Sequence, residues 1–439
     1  MRKALIIFVA GLVGCLSCGA QTLLAGGIEA VIGRDRTLTG CNYTSYFALY
    51  DYLSGRDETT LSPTPEGYEA FYISTYSRHG SRFLTEKYQY DDVLNYLREG
   101  AKRKRLTPEG RRLLAAVSRV RQLCPDSRLG ALTDIGREQH RMIAARMCEH
   151  FPEIFDARAH VVAQSSVVKR CVHSMNAQVG VIDSLTGLTI EQRSGWPGMQ
   201  DRLAGHYTTP QTEALRNRGY APHSSERERL TPYERLCRVV FTDASFLTVK
   251  KRQSFVRQFF DLCGNMQSHA FGIDFWDYFT PGEMDSLYTV KNRHWYRLLG
   301  PSPLTGGACV SRAKWQLQDI LADADSVVER RTWHGGNLRF GHDTCLMPLA
   351  CLMELGLCGM SIDEGQIDQL DRYWRNEEIF PMAGNIQLVF YRPTDGVGDV
   401  LVKALLCERE VSLPATPFMG SYYRWSDVRR RWAEMVERW

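Results

Sequence analysis

Two textures of apolar and polar positions alternate along this 439-residue chain. Short apolar, β-branched runs predict buried strands at "FYIST" (71–75), "AHVVAQSS" (159–166), "LRFG" (338–341), "NIQLVFYR" (385–392) and "DVLVKALLCEREV" (399–411). Helical spacing dominates Tyr88 to Leu123. It returns in "ALTDIGREQHRMIAARMCEHF", where Thr133 or Asp134 is the expected N-cap, and in "SSVVKRCVHSMNAQVGVI", with Ser165 or Ser166 in that place. From about Ser184 to Ala324 strand signals thin out. Charged, aromatic-rich helical stretches such as "ERERLTPYERLCRVVF" and "KKRQSFVRQFFDLCGNM" take over. "LRFGHDTCLMPLACLMELG" then reads as strand, turn and apolar helix. The pattern predicts an α/β fold, a sheet flanked by helices on both faces. Residues 21–183 and 325–439 build that domain, and a mostly helical cap, 184–324, is inserted between them.

Composition narrows the class. The chain is 44% hydrophobic and 24% charged, as globular domains are, and its net charge of +4 is small for the length, which argues against a nucleic-acid binder. Arg2 and Lys3 precede the apolar run "ALIIFVAGLVGCL", too short to span a bilayer and of signal-peptide length. Two exits are open. "SCGAQ" offers cleavage after Ala20, making 1–20 a signal peptide, and "LVGC" resembles a lipobox that would leave Cys15 as a lipid anchor. Either gives an exported protein: secreted, periplasmic or associated with the outer membrane. Of 13 cysteines, 11 follow Ala20, with no CxxC pair. That excludes a zinc ribbon and leaves buried thiols or one or two disulfides. No HExxH or Walker-type loop occurs, so no metal, cofactor or nucleotide is implied, and no protein partner either.

Three predicted strands end in residues suited to an anion: Arg78-His79-Gly80-Ser81-Arg82, then Arg170, then His342-Asp343. In open α/β sheets ligands sit beyond the carboxyl ends of strands. Guanidiniums match phosphate oxygens in pairs, Gly80 would let the backbone approach the anion, and a helix following the turn would aim its N–H groups there. Cationic neighbours disfavour the imidazolium, so His79 should stay neutral below the usual value of about 6.5 and serve as a nucleophile. Asp343 would protonate the leaving oxygen, and His342 would bind the phosphoryl group.

"RHGSR" followed much later by "HD" resembles the histidine acid phosphatases, the branch of the histidine phosphatase superfamily that holds phytases and multiple inositol polyphosphate phosphatases. "LTDIGREQ", "SSVVKRCVHSM" and "LLCEREVSLP" extend the likeness from Tyr72 to Pro414. The resemblance implies that His79 is phosphorylated, that Arg78, Arg82, Arg170 and His342 bind phosphate, and that Asp343 donates the proton. The implied substrate is a small-molecule phosphate ester of the myo-inositol polyphosphate class, such as phytate. Phe83 and Thr344-Cys345 depart from the common pattern. The flanks look like those of the inositol polyphosphate phosphatases, which usually carry His-Ala-Glu where this chain has His-Asp. Alternatives are a sugar-phosphate or broad-specificity acid phosphatase and, in another class, an inactive phosphate-binding protein of the envelope. A phosphoglycerate-mutase-like enzyme is disfavoured by the export signal and the HD pair.

Weaker signals have plainer readings. "KRKR" (102–105) is a solvated face, with a pocket rim as the functional version, and Lys250-Lys251-Arg252 ranks below it. His140, His150, His173 and His269 lack metal-ligand spacing and are expected to be structural.

Overall fold

Eight strands assemble into one mixed sheet in the computed structural model, which describes residues 28–330 and 334–439. The expected signal peptide, 1–20, and the expected lipid anchor at Cys15 lie outside the described residues. The strands are β1 (Tyr68–Arg78), β2 (His160–Ser165), β3 (Glu191–Ser194), β4 (Gly335–Gly341), β5 (Asn385–Pro393), β6 (Leu401–Leu406), β7 (Arg409–Val411) and β8 (Tyr423–Arg424). Their spatial order is β3-β2-β4-β1-β5-β6-β7, with β8 on β6. β3, β2, β4 and β1 run parallel, and β5 to β8 complete the sheet antiparallel. The register brings three strand ends side by side: Arg78 lies opposite Gly341, and Phe340 opposite Ser165.

Alternation along the strands supplies a core on each face. Ile386, Leu388 and Phe390 of β5 pack with Tyr72 and Tyr76 under helices Lys314–Glu329, Asp343–Leu352 and Trp425–Arg438. Val389 and Tyr391 face the other way and pack with Ile73, Val161, Ala163 and Leu338 under helices Asp134–His150 and Lys169–Thr186. The α/β class and the two covered faces match the expectation.

Helices carry the rest of the chain, but not as one insertion. β3, inside the range 184–324, pairs with β2, so the strand-free stretch begins after Ser194. The third core joins residues 28–53, helices Tyr88–Lys102 and Pro108–Leu123, and residues 236–288. Helix Val249–Met266 is amphipathic and needs an apolar partner; it finds one in chain that precedes β2. The eleven cysteines after Ala20 are free thiols, ten of them buried. Among the described residues no helix is long and apolar enough to cross a membrane.

Candidate active site

β1 is hydrogen-bonded on both sides to its last residue, and the pairing continues one step further. Arg78 N–H donates to Gly384 O (2.8 Å), His79 N–H to Gly341 O (3.0 Å), and Ala383 N–H to His79 O (3.0 Å). The backbone of the Arg-His pair is therefore fixed from both neighbours. Gly80 then turns the chain against the first turn of helix Asp134–His150, which Thr133 caps through Gly136 N–H (3.1 Å). A Cβ on Gly80 would sit 2.3 Å from Gly136 O, and one on Gly136 would sit 2.2 Å from Ser81 O. The glycine in RHGSR is thus required by backbone-to-backbone packing, and its signal in the sequence is its packing partner, Gly136 of "LTDIGREQ". The helix expected directly after the turn is not there: residues 83–87 are irregular. The helices that begin at the site are Lys169–Thr186 and Asp343–Leu352, entered from β2 and β4.

Gly136→Ala tests the packing. Alanine gains about 1 kcal/mol of helix propensity over glycine. Here its methyl overlaps a backbone oxygen that cannot move without shifting His79, a strain on the order of 3 kcal/mol. The overlap wins, so the variant should unfold at lower urea concentration and lose activity as well.

The six sequence-derived residues lie at this one strand edge. Arg78 is fully buried and His79 is 1% exposed. Arg78 Nη1 donates to Asn42 O (2.9 Å) and Phe380 O (2.6 Å), while Nη2 lies 2.8 Å from Asp343 Oδ2. Arg82 Nη1 donates to Phe83 O (3.0 Å). Thr344 N–H donates to Asp343 Oδ1 (2.9 Å), which fixes the carboxylate at the start of its helix. The His342 and His79 rings are 5.8 Å apart, and His342 Nε2 is 3.1 Å from Ser166 Oγ. Ser166 was an expected helix cap; the helix instead begins at Lys169 without a side-chain cap.

Charge and desolvation set the chemistry. Burial first, then Arg170, Arg78, Arg82 and His342, push the His79 pKa well below its ordinary value, so the ring is neutral. Its Nδ1 is 2.9 Å from Gly80 O. A carbonyl can only accept, so Nδ1 carries the proton and Nε2 holds the lone pair. Burial also brings His342 down to about 4, with Arg170 adding to it, and Arg78 down to about 10. Burial alone would raise the Asp343 carboxyl, but Arg78, Arg82, His342 and Arg170 outweigh it and hold it below the ordinary carboxylate range. Arg78 Nε, Arg82 Nε and Arg170 Nε are buried without a hydrogen-bond acceptor, and Arg78 Nη2 meets only the Asp343 carboxylate. Unsatisfied buried donors are costly, and here three of them, one on each guanidinium, stand around the carboxylate of Asp343. The imbalance of about two positive charges matches a phosphate monoester dianion.

Several contributors carried no signal strong enough to find. Ser174 Oγ accepts from Gly80 N–H (3.1 Å); it lies one turn after Arg170, and that i, i+4 spacing is the trace it leaves in the sequence. Gln139 accepts from Ser81 N–H (2.9 Å) and donates to the hydroxyls of Ser45 and Ser81. Phe83 fills a slot against the His269 ring and beneath Arg128. Thr344 and Cys345 tie their helix to Ala204 O and Arg202 O. "KRKR" is exposed, with Arg103 on Glu99 and Arg105 near Asp243, at the far end of a helix that places it about 20 Å from Tyr88. His140 is buried against Gln178, and His150 and His173 are exposed.

No family model and no curated protein matches the chain. Solved structures do. The phosphate complex of the Bifidobacterium longum multiple inositol polyphosphate phosphatase superposes with a TM-score of 0.67 at 19% identity, covering 86% of this chain and 95% of that one. A phytase from D. castellii gives 0.67 at 13% identity, covering 86% and 81%. The apo Hafnia alvei phytase gives 0.53 at 12% identity, covering 86% and 99%. The chain shares the fold of phytases and multiple inositol polyphosphate phosphatases.

Proposed function

We propose that the protein is an exported histidine acid phosphatase that hydrolyses phosphomonoesters through a phosphohistidine, with inositol polyphosphates as its preferred substrates. The observation that carries this reading is a neutral, buried imidazole whose Nε2 holds the lone pair, among three guanidiniums that each carry a buried Nε–H without an acceptor. The phosphate dianion occupies those donors together with His342. His79 Nε2 attacks phosphorus in line, the P–O ester bond breaks, and Asp343 gives its proton to the departing alkoxide. In the empty site the arginines hold Asp343 ionised; the bound dianion cancels their field and lets the carboxyl take up a proton. Water, deprotonated by the Asp343 carboxylate, then attacks the phosphohistidine and releases phosphate. Catalysis is positioning and charge stabilisation by groups already in place. The inositol polyphosphate preference is supported by the shared fold and by solved relatives described as complexes with inositol hexasulfate and phosphate. Export is supported by the residue pattern of 1–20, with cleavage after Ala20 or lipidation of Cys15.

Because the depressed pKa keeps His79 unprotonated, kcat/KM should hold or rise between pH 6.5 and 5, where a free imidazole would become protonated and inert. A panel of phytate, sugar phosphates and p-nitrophenyl phosphate across this range tests both parts of the proposal. Loss of activity on passing below pH 6.5 counts against the neutral nucleophile. Equal kcat/KM on phytate and simple sugar phosphates leaves a broad acid phosphatase instead.

A further inference from the structure

A second cationic crevice opens in the helical lobe, outside the catalytic residues. It has a volume of about 400 Å³ and lies between helices His223–Leu230, Val249–Met266 and Pro281–Leu299. Arg227, Arg257 and Lys291 line it, with Asp261 as its one lining carboxylate. Asp261 is already engaged by Lys291 Nζ at 2.6 Å. The carboxylates nearby in sequence are engaged too: Glu226 is held by Arg293 (2.7 Å) and Arg297 (2.5 Å), and Glu228 faces Lys250 (3.6 Å). Arg257 donates to the Thr231 hydroxyl (3.0 Å), and Arg227 Nε is buried with no partner.

Two histidines complete the wall. The rings of His223 and His294 stack at 3.8 Å, and Nδ1 of each is buried and unpartnered. Burial and then Arg227 lower His223 to about 4; burial, then His223 and Arg227, lower His294 to about 3. Both are therefore neutral in the empty crevice. Gln258 donates to Asp92 (2.9 Å), while its Oε1 is buried without a donor. Unsatisfied buried groups are uncommon in folded proteins, and four of them converge on one cavity here. Tyr43 also lines the crevice. Its ring centroid lies 4.9 Å from Lys291 Nζ and 6.0 Å from the Arg82 guanidinium carbon, so the ring stands between the two basic pockets.

We propose that this crevice is a second, non-catalytic binding site for a compact phosphate-class anion. Arg227 and Arg257 supply the guanidinium donors, the stacked histidines line its wall, and Gln258 Oε1 is placed to accept from a hydroxyl. The site stands independently of turnover at His79, since neither its cations nor its histidines belong to the catalytic set.

Calorimetry on the full chain tests it, with inositol hexasulfate as one probe and inorganic phosphate as the other. Wild type should bind two equivalents of at least one probe. The Arg227→Gln/Arg257→Gln double variant should bind one, with the second site weakened more than tenfold and KM for p-nitrophenyl phosphate changed less than twofold. Ser254→Glu places a carboxylate on the same wall from a half-buried position and should abolish the same equivalent, which covers loss of fold in the double variant. Two equivalents of phosphate identify the free anion as sufficient; two of hexasulfate alone identify a polyphosphorylated ring. One equivalent of both probes in wild type, or two in both variants, overturns the site.

Discussion

His79→Ala is expected to lower kcat/KM by about 10⁴-fold or more, while inorganic phosphate still binds. The imidazole is the group that takes over phosphorus in the proposed route, and no neighbour can replace it. His342 has its ring 5.8 Å away and its Nε2 directed at Ser166 Oγ. The side chain of His79 is otherwise tied only to the carbonyl of Gly80, so its removal breaks no long-range bond. The guanidiniums and their free donors remain, and anion affinity should remain with them. Steady-state kinetics and phosphate titration of the same preparation separate the two effects. A variant within tenfold of wild type would remove His79 from the nucleophile's place.

Asp343→Asn carries the second large effect, and its signature depends on the leaving group. General acid catalysis typically contributes about 10²- to 10⁴-fold, so turnover of phytate or an alkyl phosphate should fall in that range. p-Nitrophenyl phosphate expels a stable anion that needs little protonation, so its rate should fall much less. The same substitution removes the carboxylate that faces Arg78 Nη2 at 2.8 Å, which strengthens the positive field around the anion. KM and the inhibition constant for phosphate should both drop. An equal loss on both substrates would mean that Asp343 orders the arginines without donating a proton.

How much of this was legible in the sequence depends on distance along the chain. The strand ends at Arg78, Ser165 and Gly341 are local patterns: an apolar run, then a turn with charged residues. They were readable, and the parallel order β2-β4-β1 brings them to one edge. The contacts that set those side chains are long-range and left little trace. Asn42 O, which accepts from Arg78, lies 36 residues upstream, and Ser174 meets Gly80 from 94 residues downstream. Gly80 was read as room for an anion because the turn was considered alone; Gly136 shows that helix packing imposes it. Ser166 was read as a cap because serine before a helix commonly is one, but here His342 holds its hydroxyl. The cap boundaries 184–324 leave out residues 28–53 and the helices before β2, which share a core with residues 236–288; that pairing is long-range and leaves no local mark in the sequence. The basic crevice was missed for the same reason: Arg227, Arg257 and Lys291 are scattered in sequence and form a patch only when three helices pack.

The central claim is covalent transfer of phosphorus to His79 Nε2, and it can be caught in the act. Wild-type protein mixed with ³²P-labelled substrate at acidic pH and quenched within milliseconds in alkaline denaturant preserves phosphohistidine, which is stable to base. The account predicts label approaching one equivalent per chain in the first turnover, carried by the peptide that contains His79 and absent from His79→Ala. Full turnover with no base-stable label, or label on another histidine, would contradict it.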